Sequence, residues 1–234
     1  MEGHIYSSLI KKEKNDKFIV EKPEYPALAL LISGGHTELL LIKKEGSYQK
    51  IGQTLDDAVG EAYDKSARLL GIDYPGGPEI SRLAENFEKK RATAKLSLPR
   101  PMLNKNNFDF SFSGLKTAVL YLVKEQKKIN QEFKEELAGE FENAVAEVLI
   151  KKTLKAIKKY KVKSLIIGGG VSANDRLRRE FSAMAKKENF KIFLPAKKYT
   201  GDNALMIALA GYFNFKNNKY KKNIKKVEGN LELK

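Results

Sequence analysis

Ala27-Leu28-Ala29-Leu30-Leu31-Ile32-Ser33-Gly34-Gly35-His36-Thr37-Glu38-Leu39-Leu40-Leu41-Ile42 is the stretch that decides the fold. Ala27–Ile32 is an apolar run of strand length followed by turn residues, which predicts a buried strand. Leu39–Ile42 and Tyr48–Thr54 predict two more strands, with Glu45-Gly46-Ser47 turning between them. Connections this short join antiparallel neighbours, because a parallel return needs a crossover of about a dozen residues or more.

Working outward, Leu55–Leu70 predicts a helix with an apolar stripe of Leu55, Ala58, Val59, Ala62, Ser66 and Leu69, closed by Gly71. Asp73-Tyr74-Pro75-Gly76-Gly77-Pro78 sets two prolines around two glycines and suits neither a helix nor a strand interior. Glu79–Lys90 and Phe112–Lys128 predict helices around an irregular, aromatic stretch, Arg100–Ser113. Phe133–Tyr160 predicts a long helix, acidic in its first half and basic in its second, as the helix dipole favours. Val162–Ile167 then predicts a strand, Gly168–Gly170 a turn, Asn174–Lys187 a helix, Lys191–Leu194 a strand and Ala204–Phe213 a last helix. Upstream, His4–Ile10 reads as the end of a short helix and Lys11–Pro26 as a charged loop. The order suits an α/β domain with a mixed sheet, in which the strands separated by helices run parallel.

The chain has 234 residues, 44 basic against 29 acidic, for a net charge of +15. That excess favours polyanions, because each phosphate neutralised releases condensed counterions. Its lysines gather in Lys124–Lys134, Lys151–Lys163 and Lys216–Lys226, either an RNA-facing surface or plain compositional bias. No apolar run approaches a membrane span and Met1–Lys12 lacks the order of a signal peptide, so a cytoplasmic protein without a membrane partner is expected. The absence of cysteine excludes disulfides, thiolate metal sites and cysteine nucleophiles. There is no His-Glu-x-x-His motif either, which excludes a zinc protease of that type.

Two glycine clusters are candidate anion cradles. Gly168-Gly169-Gly170 lies between a strand and a helix, where backbone N–H groups and the helix N-terminus favour phosphate or ribose. The same run also serves as a tight turn with one positive φ, and Asn174 as the cap of the next helix. Ser33-Gly34-Gly35-His36-Thr37 surrounds exposed backbone with hydrogen-bonding side chains, a ligand clamp or a hairpin turn. Gly60, inside a helix, costs about 1 kcal/mol against alanine, which implies a ligand or a strand pressing close. Asp64 lies four residues on, with Arg68 available for an ion pair. Taken alone, Asp202 reads as a helix-capping carboxylate and His4 as a solvated histidine.

Taken together, seven ordered motifs resemble one family. They are Glu2-Gly3-His4, Ser33–Thr37, Asp56–Lys65, Asp73–Pro78, Phe110–Thr117, Gly168–Asn174 and Gly201–Ala208. This pattern is similar to the tRNA N6-adenosine threonylcarbamoyltransferase family, from Met1 to about Phe213. The resemblance implies an actin-like ATPase (ASKHA, ribonuclease H-like) fold, mostly its second lobe with a helical insertion. Residues 1–22 would end the first lobe, 23–213 would form the second with its insertion at about 78–134, and 214–234 would be a basic tail. It also implies transfer of threonylcarbamoyl from threonylcarbamoyl-AMP to N6 of the tRNA adenosine 3′ of the anticodon, alongside other subunits of that machinery.

By the same resemblance His4 and Asp202 correspond to ligands of one divalent metal ion, iron or else zinc or magnesium. Leu31, Ile32, Ser33, Gly34, Gly35, Asp64, Gly77 and Asn174 correspond to positions that hold the adenylate. Gly168, Gly169 and Gly170 form the phosphate loop, and His36 is the candidate proton acceptor. Two departures stand out. Ser81 occupies a place where many members carry aspartate. The family's first metal histidine would immediately precede Met1, so a form shortened at the N-terminus is expected. The alternatives are an ATPase or phosphotransferase of the same superfamily, and a non-catalytic scaffold.

Overall fold

The computed structural model describes residues 1–14, 17–90, 95–217 and 233. In chain order, α1 (Glu2–Ser8) leads into strands β1 (Ile10–Lys14) and β2 (Lys17–Val20), then β3 (Ala27–Ile32), β4 (Thr37–Lys44) and β5 (Ser47–Gln53). Helices α2 (Val59–Leu69), α3 (Gly76–Lys89), α4 (Ser113–Glu125) and α5 (Gln131–Tyr160) follow. The chain continues through β6 (Ser164–Gly168), α6 (Asp175–Glu188), β7 (Lys191–Phe193) and α7 (Ala204–Lys216).

The main sheet has the order β5-β4-β3-β6-β7. β3, β4 and β5 are antiparallel neighbours, whereas β6 pairs with β3 in parallel and β7 with β6 in parallel. Strand β3 is central and every residue in it is buried, because helices cover both faces. Its side chains alternate as strand geometry requires. Leu28, Leu30 and Ile32 join the large core with α2 to α6, while Ala27, Ala29 and Leu31 join a smaller core under α1 and α7. On that second face Tyr6 and Phe213 stack with ring centroids 4.5 Å apart.

The stretch 78–134 shares the large core rather than building its own: Ile80, Leu83, Phe110, Phe112 and Leu115 pack with the sheet. Residues 1–22 bring α1 against the lobe, where the Ser8 hydroxyl donates to the Ile167 carbonyl at 2.9 Å. The basic tail at 214–234 lies, beyond Asn217 and apart from Leu233, outside the described residues.

Three local expectations are corrected. Lys11–Pro26 contains an antiparallel hairpin, β1 with β2, instead of a loop. It carries no alternating apolar pattern: Phe18-Ile19-Val20 is strand-prone, but its partner Ile10–Lys14 is mostly lysine and glutamate. The helix expected from Leu55 begins at Val59, because Asp56 is held elsewhere: its carboxylate accepts from the backbone N–H groups of Phe112 and Ser113 and from the Ser111 and Ser113 hydroxyls. Thr37 Oγ1 then receives the first helical N–H, that of Val59, and Leu55 is left exposed. Finally, α3 starts inside the glycine-proline stretch, at Gly76. A proline is tolerated in a first helical turn, where an N–H has no helical partner.

Candidate nucleotide cleft and metal pair

Strands β3 and β6 are parallel, so the loops after both leave the same edge of the sheet. A cleft of about 740 Å³ opens beside this edge. Open α/β sheets bind ligands outside the carboxyl ends of their strands, which is where this cleft lies. Gly34 and Gly170 enter it from the two loops, Asp64 from α2, Gly77 and Ser81 from α3, and Asn174 from the cap of α6. Residues spread over more than half the chain thus meet in one cavity.

The glycine loops divide their labour. A Cβ on Gly168 would lie 2.8 Å from the His4 carbonyl oxygen, and one on Gly169 only 2.3 Å from that of Ile32. Gly169 also has φ +93° and ψ 164°, a conformation open essentially to glycine alone. These two glycines are required by close backbone packing. Gly170 meets nothing within 4 Å and borders the cleft, as does Gly34. Gly60 is explained by backbone pressing close: its added Cβ would lie 2.7 Å from the carbonyl oxygen of Ser33, in the loop after β3, which accepts the Gly60 N–H at 3.1 Å.

Asp64 does not need Arg68 to explain its place. Its Oδ1 accepts the N–H groups of Gly76 at 2.8 Å and Gly77 at 3.3 Å, and so caps α3 from the neighbouring helix. Asn174 keeps its expected capping role, with Oδ1 accepting the Leu177 N–H at 2.9 Å. Its amide also donates to Ser81 Oγ and to Glu142, a buried carboxylate on α5 that the sequence motifs did not single out. A lone glutamate inside a charged helix gives no signal; only its burial marks it.

Other expected residues lie off the cleft lining. Leu31 and Ile32 are fully buried, one in each core, so they offer only backbone to a ligand. Ser33 and His36 close a turn: the Ser33 N–H donates to the His36 carbonyl at 2.9 Å, and Ser33 Oγ accepts from the N–H groups of Gly35 and His36. His36 itself is exposed and is not among the cleft residues.

His4 and Asp202, 198 positions apart, are brought together, with Nε2 3.3 Å from Oδ1. The carboxylate is exposed while the imidazole is buried. Burial holds the His4 pKa below its ordinary value, against the opposing pull of Asp202. His4 Nδ1 is buried without a hydrogen-bond partner. A neutral imidazole whose Nε2 faces an open carboxylate fits half of a nitrogen–oxygen metal shell. Among the described residues no third histidine, aspartate or glutamate completes such a group.

Within the lysine run 151–159 of α5, Lys152 turns into the protein while Lys151, Lys155, Lys158 and Lys159 stay exposed. Lys152 is buried and donates to the Asn107 carbonyl at 3.2 Å, Lys155 binds the Lys105 carbonyl, and Lys151 pairs with Glu147. Burial lowers the Lys152 pKa. Among the described residues, no helix is long and apolar enough to cross a membrane.

A family model described as "TsaD: tRNA N6-adenosine threonylcarbamoyltransferase" matches residues 1–209. A protein of that name from Thermosipho africanus is 44% identical over 214 residues, covering 92% of this chain and 61% of its own length. The one from Herminiimonas arsenicoxydans is 50% identical over 212 residues, covering 90% of this chain and 58% of its own. The chain thus spans about three fifths of the length of these curated relatives. Among solved structures, HypF of T. kodakarensis superposes with a TM-score of 0.63 at 12% identity, over 92% of this chain and 36% of that one. That likeness shows the fold alone and leaves the chemistry to the residues.

Proposed function

The chain belongs to the tRNA N6-adenosine threonylcarbamoyltransferase family, and from that premise we propose that it holds threonylcarbamoyl-AMP in the cleft for transfer to tRNA. The observation that carries this reading is the convergence of Gly34, Asp64, Gly77, Gly170 and Asn174 on one cavity. The reaction forms a bond between the adenosine N6 and the carbamoyl carbon. It breaks the bond from that carbon to the phosphate oxygen, releases AMP, and sheds one proton from N6.

The leaving group is already good, so the weak partner is the exocyclic amine, whose lone pair is delocalised into the ring. Positioning is therefore the main task of the site. The open backbone at Gly34 and Gly170 receives the phosphate without steric conflict. Asp64 keeps the Gly76-Gly77 turn in place beside it. His36, exposed beside the first glycine loop and outside the cleft lining, is the proton acceptor on this proposal, reaching the N6 proton through water.

His4 and Asp202 would hold one divalent ion, iron by the family's pattern. When bound it polarises a carbonyl or phosphate oxygen and fixes the donor. The tRNA approaches over the lysine-rich surface with its target base unstacked towards the cleft. The protein works in the cytoplasm, with the subunits that make the adenylate and complete the assembly.

The test is transfer of labelled threonylcarbamoyl from its adenylate to tRNA by a protein of the relatives' full length that contains this chain, combined with the family's other subunits. Labelled tRNA is expected, and its absence with active partners and intact adenylate refutes the reading. Asp202→Ala is expected to abolish metal-dependent transfer while leaving the melting curve unchanged, since the side chain is 89% exposed. Retained transfer would remove the metal assignment alone.

A further inference from the structure

Glu142 lies near the middle of α5, is 3% exposed, and borders the cleft. Its Oε1 accepts from the Ser81 hydroxyl at 2.7 Å, from Asn174 Nδ2 at 2.5 Å and from the Tyr63 hydroxyl at 3.4 Å. Donors from α2, α3 and the cap of α6 thus converge on a single oxygen, and all three are neutral. Among the described residues no donor is placed on Oε2. An ionised carboxylate has two oxygens with about four acceptor sites. Burying one is costly unless hydrogen bonds replace its water. Half of this group's acceptor capacity is therefore left at the wall of the cleft.

The chemistry of such an acceptor selects its ligand. It repels phosphate and attracts hydroxyl or amino donors. In a nucleotide the phosphate is then held away from Glu142, at the open glycines 34 and 170 or the cleft arginines 82, 176 and 179, and the donors left for the carboxylate are the two ribose hydroxyls and the adenine amino group, of which the hydroxyl pair stands nearer the phosphate. Carboxylates read ribose hydroxyls in the same way in dinucleotide-binding folds. The Ser81 hydroxyl is hydrogen-bonded to this carboxylate from α3.

We propose that Glu142 is a substrate-binding residue that accepts a hydrogen bond from a ribose hydroxyl of the adenylate and thereby selects ribonucleotides. The proposal rests on the adenylate reading of the cleft and adds to it a residue, a ligand orientation and a specificity.

Equilibrium binding of AMP, 2′-deoxy-AMP and 3′-deoxy-AMP to the 234-residue chain tests it, with Glu142→Gln and Ser81→Ala beside the wild type. A hydrogen bond to a buried charged group corresponds to about a 10- to 100-fold preference for AMP over at least one deoxy analogue. Glu142→Gln is expected to reduce that preference at least several-fold, whereas Ser81→Ala keeps it because the carboxylate remains. If AMP binds and the wild type shows no preference, Glu142 does not read the ribose and the adenylate reading survives. The ribose role is equally overturned if Glu142→Gln weakens all three ligands equally, because the carboxylate then only braces Ser81 and Asn174. If Glu142→Gln fails to fold, the wild-type ratio still decides. If no adenylate binds the wild-type chain, the proposal and the adenylate reading fall together.

Discussion

The two glycine loops at the edge of the sheet are alike in composition and opposite in use. Gly34 and Gly35 meet nothing within 4 Å, whereas Gly168 and Gly169 are pressed against the backbones of α1 and β3. The first loop is held by side-chain and backbone bonds within its own turn, and the second by the space left between elements. A run of glycines therefore measures close approach, and the neighbour approached is as often the protein's own backbone as a ligand. In the second loop only Gly170 remains for the cleft.

The contrast can be broken by substitution, and the largest effect belongs to the packed loop. Gly169→Ala adds a strained φ to a clash with the Ile32 carbonyl, so a loss of about 3 kcal/mol or more is expected. In a domain of this size that lowers Tm by roughly 6–12 °C, and a melting curve within a degree of wild type would show that the loop is not packed as described. Next comes Asp64→Ala, which removes the acceptor for two α3 N–H groups. It is expected to cost about 1–2 kcal/mol in denaturant unfolding, as lost helix caps do. No change there would return Asp64 to an exposed, substrate-only role.

Asn174→Ala removes the α6 cap and the amide that reaches Ser81 and Glu142. A loss of about 1 kcal/mol is expected, with weaker adenylate binding at the same time. The smallest effect on stability belongs to the open loop. Gly34→Ala should change the unfolding free energy by less than about 0.5 kcal/mol while weakening AMP binding measured by titration. A destabilised Gly34→Ala protein, or one that binds AMP normally, would erase the distinction between the two loops.

A second contrast concerns charge. The net +15 is legible in composition, yet lysines 151, 152 and 155 on α5 are engaged with Glu147, Asn107 and the 105–106 loop. Two lysines of this run, Lys152 and Lys155, thus reach the 105–107 segment, and Lys152 is lost to any RNA surface by burial. The affinity for tRNA should accordingly fall with salt, since each phosphate contact releases counterions. The slope should reflect fewer contacts than the number of lysines suggests, and an affinity insensitive to salt would remove the lysine surface altogether.

By itself the sequence determined the order of the elements from β3 onward and the antiparallel β3-β4-β5 set, because apolar runs, alternation and turn residues are local signals. The seven motifs also identified the family, and with it the pairing of His4 with Asp202, which no local signal could suggest. Tertiary structure alone decided what each glycine faces, because a Cβ clash depends on a backbone more than a hundred positions away, as Ile32 is from Gly169. It alone revealed the β1-β2 hairpin, whose lysine-rich sequence has no alternation to read. It alone brought Tyr63, Ser81 and Asn174 to Glu142: burial and hydrogen-bond convergence are properties of the packed helices, and no spacing along the chain encodes them.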